Sequence, residues 1–73
     1  MTQEKIKSML DFAFSLKTEI VVVTDNCDRV FIDFSNEDYK DTHTDKTFLY
    51  IWDNIYKNWH ATPLENIKFI EYY

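Results

Sequence analysis

Two histidines, one cysteine and thirteen carboxylates are the side chains of this chain that could do chemistry. His43 and His60 are its imidazoles, the groups best suited to proton transfer near neutral pH. A metal site would need them to converge with Cys27 or with carboxylates, and no H-x-x-x-H or C-x-x-C ligand spacing is present. Cys27 with either histidine would make a nucleophilic pair. Yet Asn26 and Asp28 flank Cys27, and an acidic setting opposes the thiolate that such a nucleophile needs. Carboxylate pairs for acid–base work can be drawn from so many residues that no pair stands out. His60 beside Trp59 reads as part of a strand face. The expectation is therefore a non-enzyme with no catalytic residue, no metal and no cofactor.

The chain has no glycine. Phosphate-cradling loops and dinucleotide fingerprints need glycine so that backbone N–H groups can approach the ligand. The stretch Asp41-Thr42-His43-Thr44-Asp45 imitates a calcium loop, but Lys46 stands at the sharp turn and Trp52 where the bidentate Glu belongs. Without glycine, turns with positive φ are expected at Asn and Asp.

The elements that must position these groups follow from patterning. The chain is 73 residues long, 45% hydrophobic and 18% aromatic, with a net charge of −5. That suits one small domain spanning 1–73 with a single core. Residues 3–17 read as a helix: Thr2 is placed to cap it, and Ile6, Met9, Leu10, Ala13 and Leu16 recur on one face, with Phe12 and Phe14 flanking. Residues 19–24 are a β-branched strand whose run Ile20–Val23 asks for cover on both faces. Asp25-Asn26-Cys27-Asp28 is a turn. Residues 29–34 then alternate, with Val30, Ile32 and Phe34 on one side and Arg29, Phe31 and Asp33 on the other. Residues 35–45 form a polar connection with a short helical turn after Ser35 and one large apolar group, Tyr39.

Residues 46–60 admit two readings. Phe48, Trp52, Ile55 and Trp59 sit at helical spacing. Aromatic and β-branched content favours a hairpin of 47–52 and 55–60 turning at Asp53-Asn54, and the hairpin is the expectation. In Thr62-Pro63-Leu64-Glu65, Thr is expected to cap, Pro to take the first helical position and Glu to complete a capping box. Residues 67–72 follow as a closing strand.

This is an α+β order: an N-terminal helix packed on a small antiparallel sheet, or on an SH3-like or Sm-like barrel of about five strands. The C-terminal half also resembles the WYL family. Phe48-Leu49-Tyr50-Ile51-Trp52-Asp53, Trp59-His60-Ala61-Thr62 and Pro63-Leu64-Glu65-Asn66-Ile67 are similar to that family's strand ending in Asp, aromatic strand and short element before the final strand. The Trp-Tyr-Leu tripeptide is absent, and Arg29 is the one arginine available where the family lines a ligand groove with several. The resemblance implies a stand-alone WYL-like or Sm-like regulatory module sensing a small ligand.

The residues favour a different function. Asp25, Asp28, Asp33, Glu37, Asp38, Asp41, Asp45 and Asp53 concentrate carboxylates over 25–53, and Tyr39 with aromatics from 50–59 supplies anchors of the type that dominate interfaces. A solvated surface is the commoner reason for such acids. The functional expectation is a face comprising Asp25, Asp28, Asp33, Glu37, Asp38, Tyr39, Asp41 and Asp45 that docks on a larger protein with a basic surface, such as a nucleic-acid enzyme. In size and charge the chain resembles phage anti-CRISPR and anti-restriction inhibitors, which extends to mimicry of DNA. Direct nucleic-acid binding is disfavoured by the net charge, as are anionic membranes. A lone cysteine and the opening Met1-Thr2-Gln3-Glu4-Lys5, which has no signal-peptide character, suit the cytoplasm.

Overall fold

In the computed structural model, which describes residues 1–73, the chain is an α+β protein with one helix and two three-stranded antiparallel sheets. Helix α1 spans Gln3–Leu16. Thr2 caps its start, with the Lys5 N–H donating to Thr2 Oγ1 at 3.3 Å. At its end Lys17 takes a left-handed conformation, and the Lys17 and Thr18 N–H groups return to Phe14 and Ala13 carbonyls. That closure satisfies the orphan carbonyls of the last turn. Ile6, Leu10 and Ala13 are buried, and Met9 packs against the core. Leu16, expected on the buried stripe, is 59% exposed, because the chain reverses at Lys17 before that position can reach the sheets.

The first sheet has the order β2-β1-β6, with β1 at Glu19–Thr24, β2 at Arg29–Asp33 and β6 at Ile67–Tyr72. Ile20, Val22, Ile32 and Ile70 point into the core shared with the helix. Phe34 lies one residue past β2 and is still buried. The Asp33 carboxylate accepts from both the N–H and the hydroxyl of Ser35, which turns the chain away from the sheet there.

The second sheet has the order β3-β4-β5, with β3 at His43–Thr44, β4 at Phe48–Asp53 and β5 at Asn58–Pro63. The hairpin over 46–60 forms, but its loop is Asn54–Lys57, two residues longer than the Asp53-Asn54 turn, and Asp53 pairs with Asn58. Leu49 and Ile51 are this sheet's core residues. Strand β3 was not expected from the sequence. A short 3-10 turn at Glu37–Tyr39, capped by Asn36, precedes it and corresponds to the helical turn read after Ser35.

Three further expectations are corrected. The capping box at Thr62 does not form: Thr62 pairs with Leu49 inside β5, Pro63 pairs with Phe48, and a 3-10 turn follows at Leu64–Asn66 with no side-chain cap. Pro63 has the fixed φ it brings to any turn, but its ψ of 133° is extended, so the strand continues through it. Nor do the strands, six instead of about five, close into a barrel. The chain leaves β2 at Asp33 and passes through the 3-10 turn before β3 begins, so β2 and β3 do not merge into one strand bridging the sheets. The positive-φ positions are Lys17, Cys27 and Lys57, not Asn or Asp.

Candidate functional site

The two sheets splay apart between β2 and the β4–β5 hairpin, leaving a cavity of about 400 Å³. Val30 and Phe31 of β2, Ile51 and Trp52 of β4, Tyr39 and Ile55 supply its apolar lining. No lysine or arginine lines it. At one end it shares Trp52 with a cleft formed by Glu37, Asp38, Asp41, Lys40 and Trp59. At the other it shares Val30, Ala61 and Thr62 with a cleft that holds Asp25 and Asp28. The carboxylates therefore do not form one face. They stand at two ends of an apolar cavity.

The tryptophans sit where they do because of strand register. In β4, Leu49 and Ile51 alternate inward, so Phe48, Tyr50 and Trp52 point outward. Trp52 pairs with Trp59 and His43 with Tyr50, which puts all five rings on one face. Trp52 and Trp59 meet edge to face at 5.3 Å, His43 stacks on Tyr50 at 4.9 Å, and His43 meets Trp59 at 5.5 Å. Trp59 is 44% exposed. Neither it nor the half-buried Phe48 is a core residue. The sheet's small aliphatics fill the core instead.

The acidic residues divide by what their oxygens already do. Glu37, Asp38 and Asp41 are exposed, and their side chains accept no hydrogen bond from the protein. Asp25 and Asp28 are likewise exposed, in the β1–β2 turn. Asp33 lies at the far end of β2, engaged with Ser35, and belongs to neither cleft. Asp45 is structural: it accepts from the Phe48 N–H at 2.7 Å, the Thr47 N–H at 2.8 Å and the Tyr50 hydroxyl at 2.9 Å. These bonds hold its carboxyl below the ordinary range and push the Tyr50 phenol up. Tyr39, expected as an exposed anchor, is half-buried against the core and forms part of the cavity wall.

One polar pair borders the cavity. His60 Nε2 lies 2.7 Å from Asp53 Oδ2, while Asp53 Oδ1 accepts from the N–H groups of Ile55 and Tyr56. The His60 bond, then the Tyr56 and Ile55 amides, hold the Asp53 carboxyl below its usual value. Asp53 is thereby the clamp of the hairpin loop. Ile55 and Tyr56, which the sequence places at the start of the second strand, stand exposed at the loop tip instead. The signal for them was the loop length. A four-residue loop ejects the two residues after its first, whereas the expected two-residue turn leaves them in the strand.

No three His, Cys, Asp or Glu side chains cluster as metal ligands, and Cys27 is exposed in its turn. No helix is long and apolar enough to cross a membrane. No protein-family model matches the chain, and no match is found among the curated proteins or the solved structures. The likeness to WYL and Sm-like proteins thus rests on the element order and on the quoted residues.

Proposed function

We propose that the protein is a non-enzymatic docking module that binds a basic surface of a larger protein and modulates or inhibits it. The observation that carries this reading is the apolar cavity flanked at both ends by unengaged carboxylates, with two tryptophans forming the wall of one acidic cleft. Exposed tryptophan beside carboxylates suits an incoming lysine or arginine, since the ring face and the acid both attract the cation. The apolar centre supplies the desolvated contact that charges alone lack. A nucleic-acid-handling enzyme, whose own groove is basic, is the partner class that fits, and an inhibitor of the anti-CRISPR or anti-restriction type is the matching biological role. The element order supports reading the fold as an opened relative of the Sm-like barrel.

Small-ligand sensing is the second reading, favoured by the His60–Asp53 pair at the edge of an apolar cavity, a common layout for ligand sites. The missing cationic lining weighs against an anionic ligand. Arg29, the residue such a site needs, lines none of the clefts described above.

Parallel affinity capture from a host lysate tests the docking reading. The baits are the wild-type protein and the triple reversal of Glu37, Asp38 and Asp41 to Lys. Wild type is expected to retain a basic protein that elutes as salt rises, and the reversal to retain none of it. Equal retention by both baits, or direct binding of DNA by the wild-type protein, would remove the support for docking through these acids.

A further inference from the structure

Two unpaired strand edges border the same cavity. In the first sheet the Phe34 N–H donates to the Thr18 carbonyl, and the Thr24 N–H to the Asp28 carbonyl. Hydrogen-bonded pairs alternate along an antiparallel ladder. Val30 and Ile32 therefore bond to β1, while Arg29 and Phe31 aim their N–H and C=O groups away from it. In the second sheet the Leu64 N–H donates to the Thr47 carbonyl. By the same alternation His60 and Thr62 bond to β4, and Trp59 and Ala61 aim theirs outward. β2 and β5 are each the last strand of their sheet, and no hydrogen bond in the chain reaches the outward groups of Phe31 or Ala61.

Val30 and Phe31 of β2 and His60, Ala61 and Thr62 of β5 line one cavity of about 400 Å³. The start of β2 and the end of β5 meet in the cleft of Asp28, Val30, Thr62 and Pro63. Phe31 shares the cavity with Asn54 and Ile55, in the loop that leads into β5. The two edges therefore run antiparallel. The molecule's other edges are blunted in ways that discourage strand pairing. β6 carries Lys68 and a register shift against β1, and β3 is two residues long. Pro63 turns its missing N–H to the edge at the end of β5. Val30–Ile32 and Trp59–Thr62 contain no lysine, proline or register shift.

We infer that the slot between β2 and β5 takes an extended segment of the partner as an added strand, hydrogen-bonded to Phe31 on one side and Ala61 on the other. This added strand rests on the docking reading above and defines how the partner is held. An extended backbone offers donors and acceptors at the spacing that two facing edges need. Its side chains alternate, so one set enters the apolar lining of Val30, Tyr39 and Ile51. Charge sets its ends. Asp25 and Asp28 stand at one mouth, and Glu37, Asp38 and Asp41, outnumbering Lys40, at the other. The segment is thus apolar in the middle and basic at both ends. It joins the two sheets in the order β6-β1-β2-segment-β5-β4-β3, antiparallel to one edge and parallel to the other.

Amide hydrogen exchange, read residue by residue by NMR on the full chain, tests the added strand. The probe is a synthetic peptide of alternating valine and threonine with a lysine pair at each end. It should bind and slow exchange of the Phe31 and Ala61 amides by about tenfold or more. The same peptide N-methylated at alternate central residues should bind about tenfold more weakly, because it loses the hydrogen bonds to one edge. Ala61→Pro removes an N–H directed away from β4, so it should keep the circular dichroism spectrum and also weaken binding about tenfold. Binding that leaves both amides unprotected, the mark of a helical or side-chain-only contact, overturns the inference. So does an N-methylated peptide that binds as tightly as its parent, or a parent peptide that does not bind at all. Salt-dependent binding without amide protection would leave docking through the acids standing. Protection that survives reversal of Glu37, Asp38 and Asp41 to Lys would keep the added strand and remove docking through those acids.

Discussion

The outward faces of the two sheets carry the same kind of side chain in differently arranged electrostatic settings. On the β3-β4-β5 sheet, His43, Tyr50, Trp52 and Trp59 form a ring cluster next to Glu37, Asp38 and Asp41. On the β2-β1-β6 sheet, Phe31, Phe69 and Tyr73 surround two valines, with Arg29 at one end, Asp33 and Glu19 at the other and Glu71 between them on β6. The charges bordering the two faces differ in placement: Glu37, Asp38 and Asp41 with Lys40 line the cleft on the first, whereas Glu19, Asp33 and Glu71 with Arg29 share the second. Electrostatic complementarity works chiefly on encounter rate and partner choice.

The largest expected effect tests whether the two faces share one core. Leu49→Ala in β4 and Ile32→Ala in β2 each remove a fully buried side chain from the single cluster, so each should cost about 2–5 kcal/mol in denaturant unfolding. If one of them is silent, the two sheets fold independently and the comparison dissolves. Trp59→Ala should cost much less than either, because nearly half of that side chain already faces water. A loss as large as that of Leu49→Ala would move Trp59 into the core.

A second expected effect is pH dependence on the acidic side. Asp45 and Asp53 are both held below their unfolded pKa of about 3.8 by hydrogen bonds in the fold. A carboxyl depressed in the folded state stabilises the fold above its unfolded pKa, and that contribution disappears as pH falls through the folded value. Thermal stability should therefore decline below about pH 4, and Asp45→Asn should flatten the decline. The Tyr50 phenol is raised by the same Asp45 contact, so its contribution is present below pH ~10 and is lost above it. A melting temperature independent of pH between 2 and 5, at about those bounds, would show that these hydrogen bonds are not made in solution.

The smallest expected effect concerns backbone strain. Lys57, in the hairpin loop, has φ of 55° and no glycine alternative in this sequence. Left-handed backbone costs a non-glycine residue about 1–2 kcal/mol. Lys57→Gly relieves that and gives back about 0.5–1 kcal/mol in chain entropy, leaving a gain of about 0.5 kcal/mol. Cys27→Ser, at another left-handed turn position, keeps the strain and should leave the melting temperature unchanged.

How much of this was readable in the sequence depended on the range of the interactions. The helix, the β1–β2 hairpin and the closing strand follow from periodicity, and Thr2 caps as its type suggests. The hairpin over 46–60 follows from β-propensity against a competing helical spacing. What failed was decided by contacts distant in sequence. Pro63 looks like a helix start locally, but pairing with Phe48 keeps it in a strand. Tyr39 sits in a polar stretch and is still half-buried, because β4 and β2 lie beside it. The eight residues proposed as one face separate because the β1–β2 turn and the 3-10 turn lie at opposite ends of the cavity. Asp33 and Asp45 fall away from it, each committed to a backbone turn of its own. The double burial of β1 was legible in Ile20–Val23, though which element covers the second face was not.

Tryptophan fluorescence offers the most direct test of docking at the acidic face, because the chain has two tryptophans and both form the wall of the cleft between Glu37, Asp38 and Asp41. The probe is a synthetic peptide with an apolar centre flanked by lysine and arginine, titrated at several salt concentrations. A control peptide has the same centre with acidic flanks. The basic peptide should shift and quench the emission at low salt, lose affinity as salt rises, and give no response with the Glu37, Asp38 and Asp41 reversal. An equal response to the acidic peptide, or a basic-peptide response that survives the triple reversal, would contradict recognition of a basic surface by these residues.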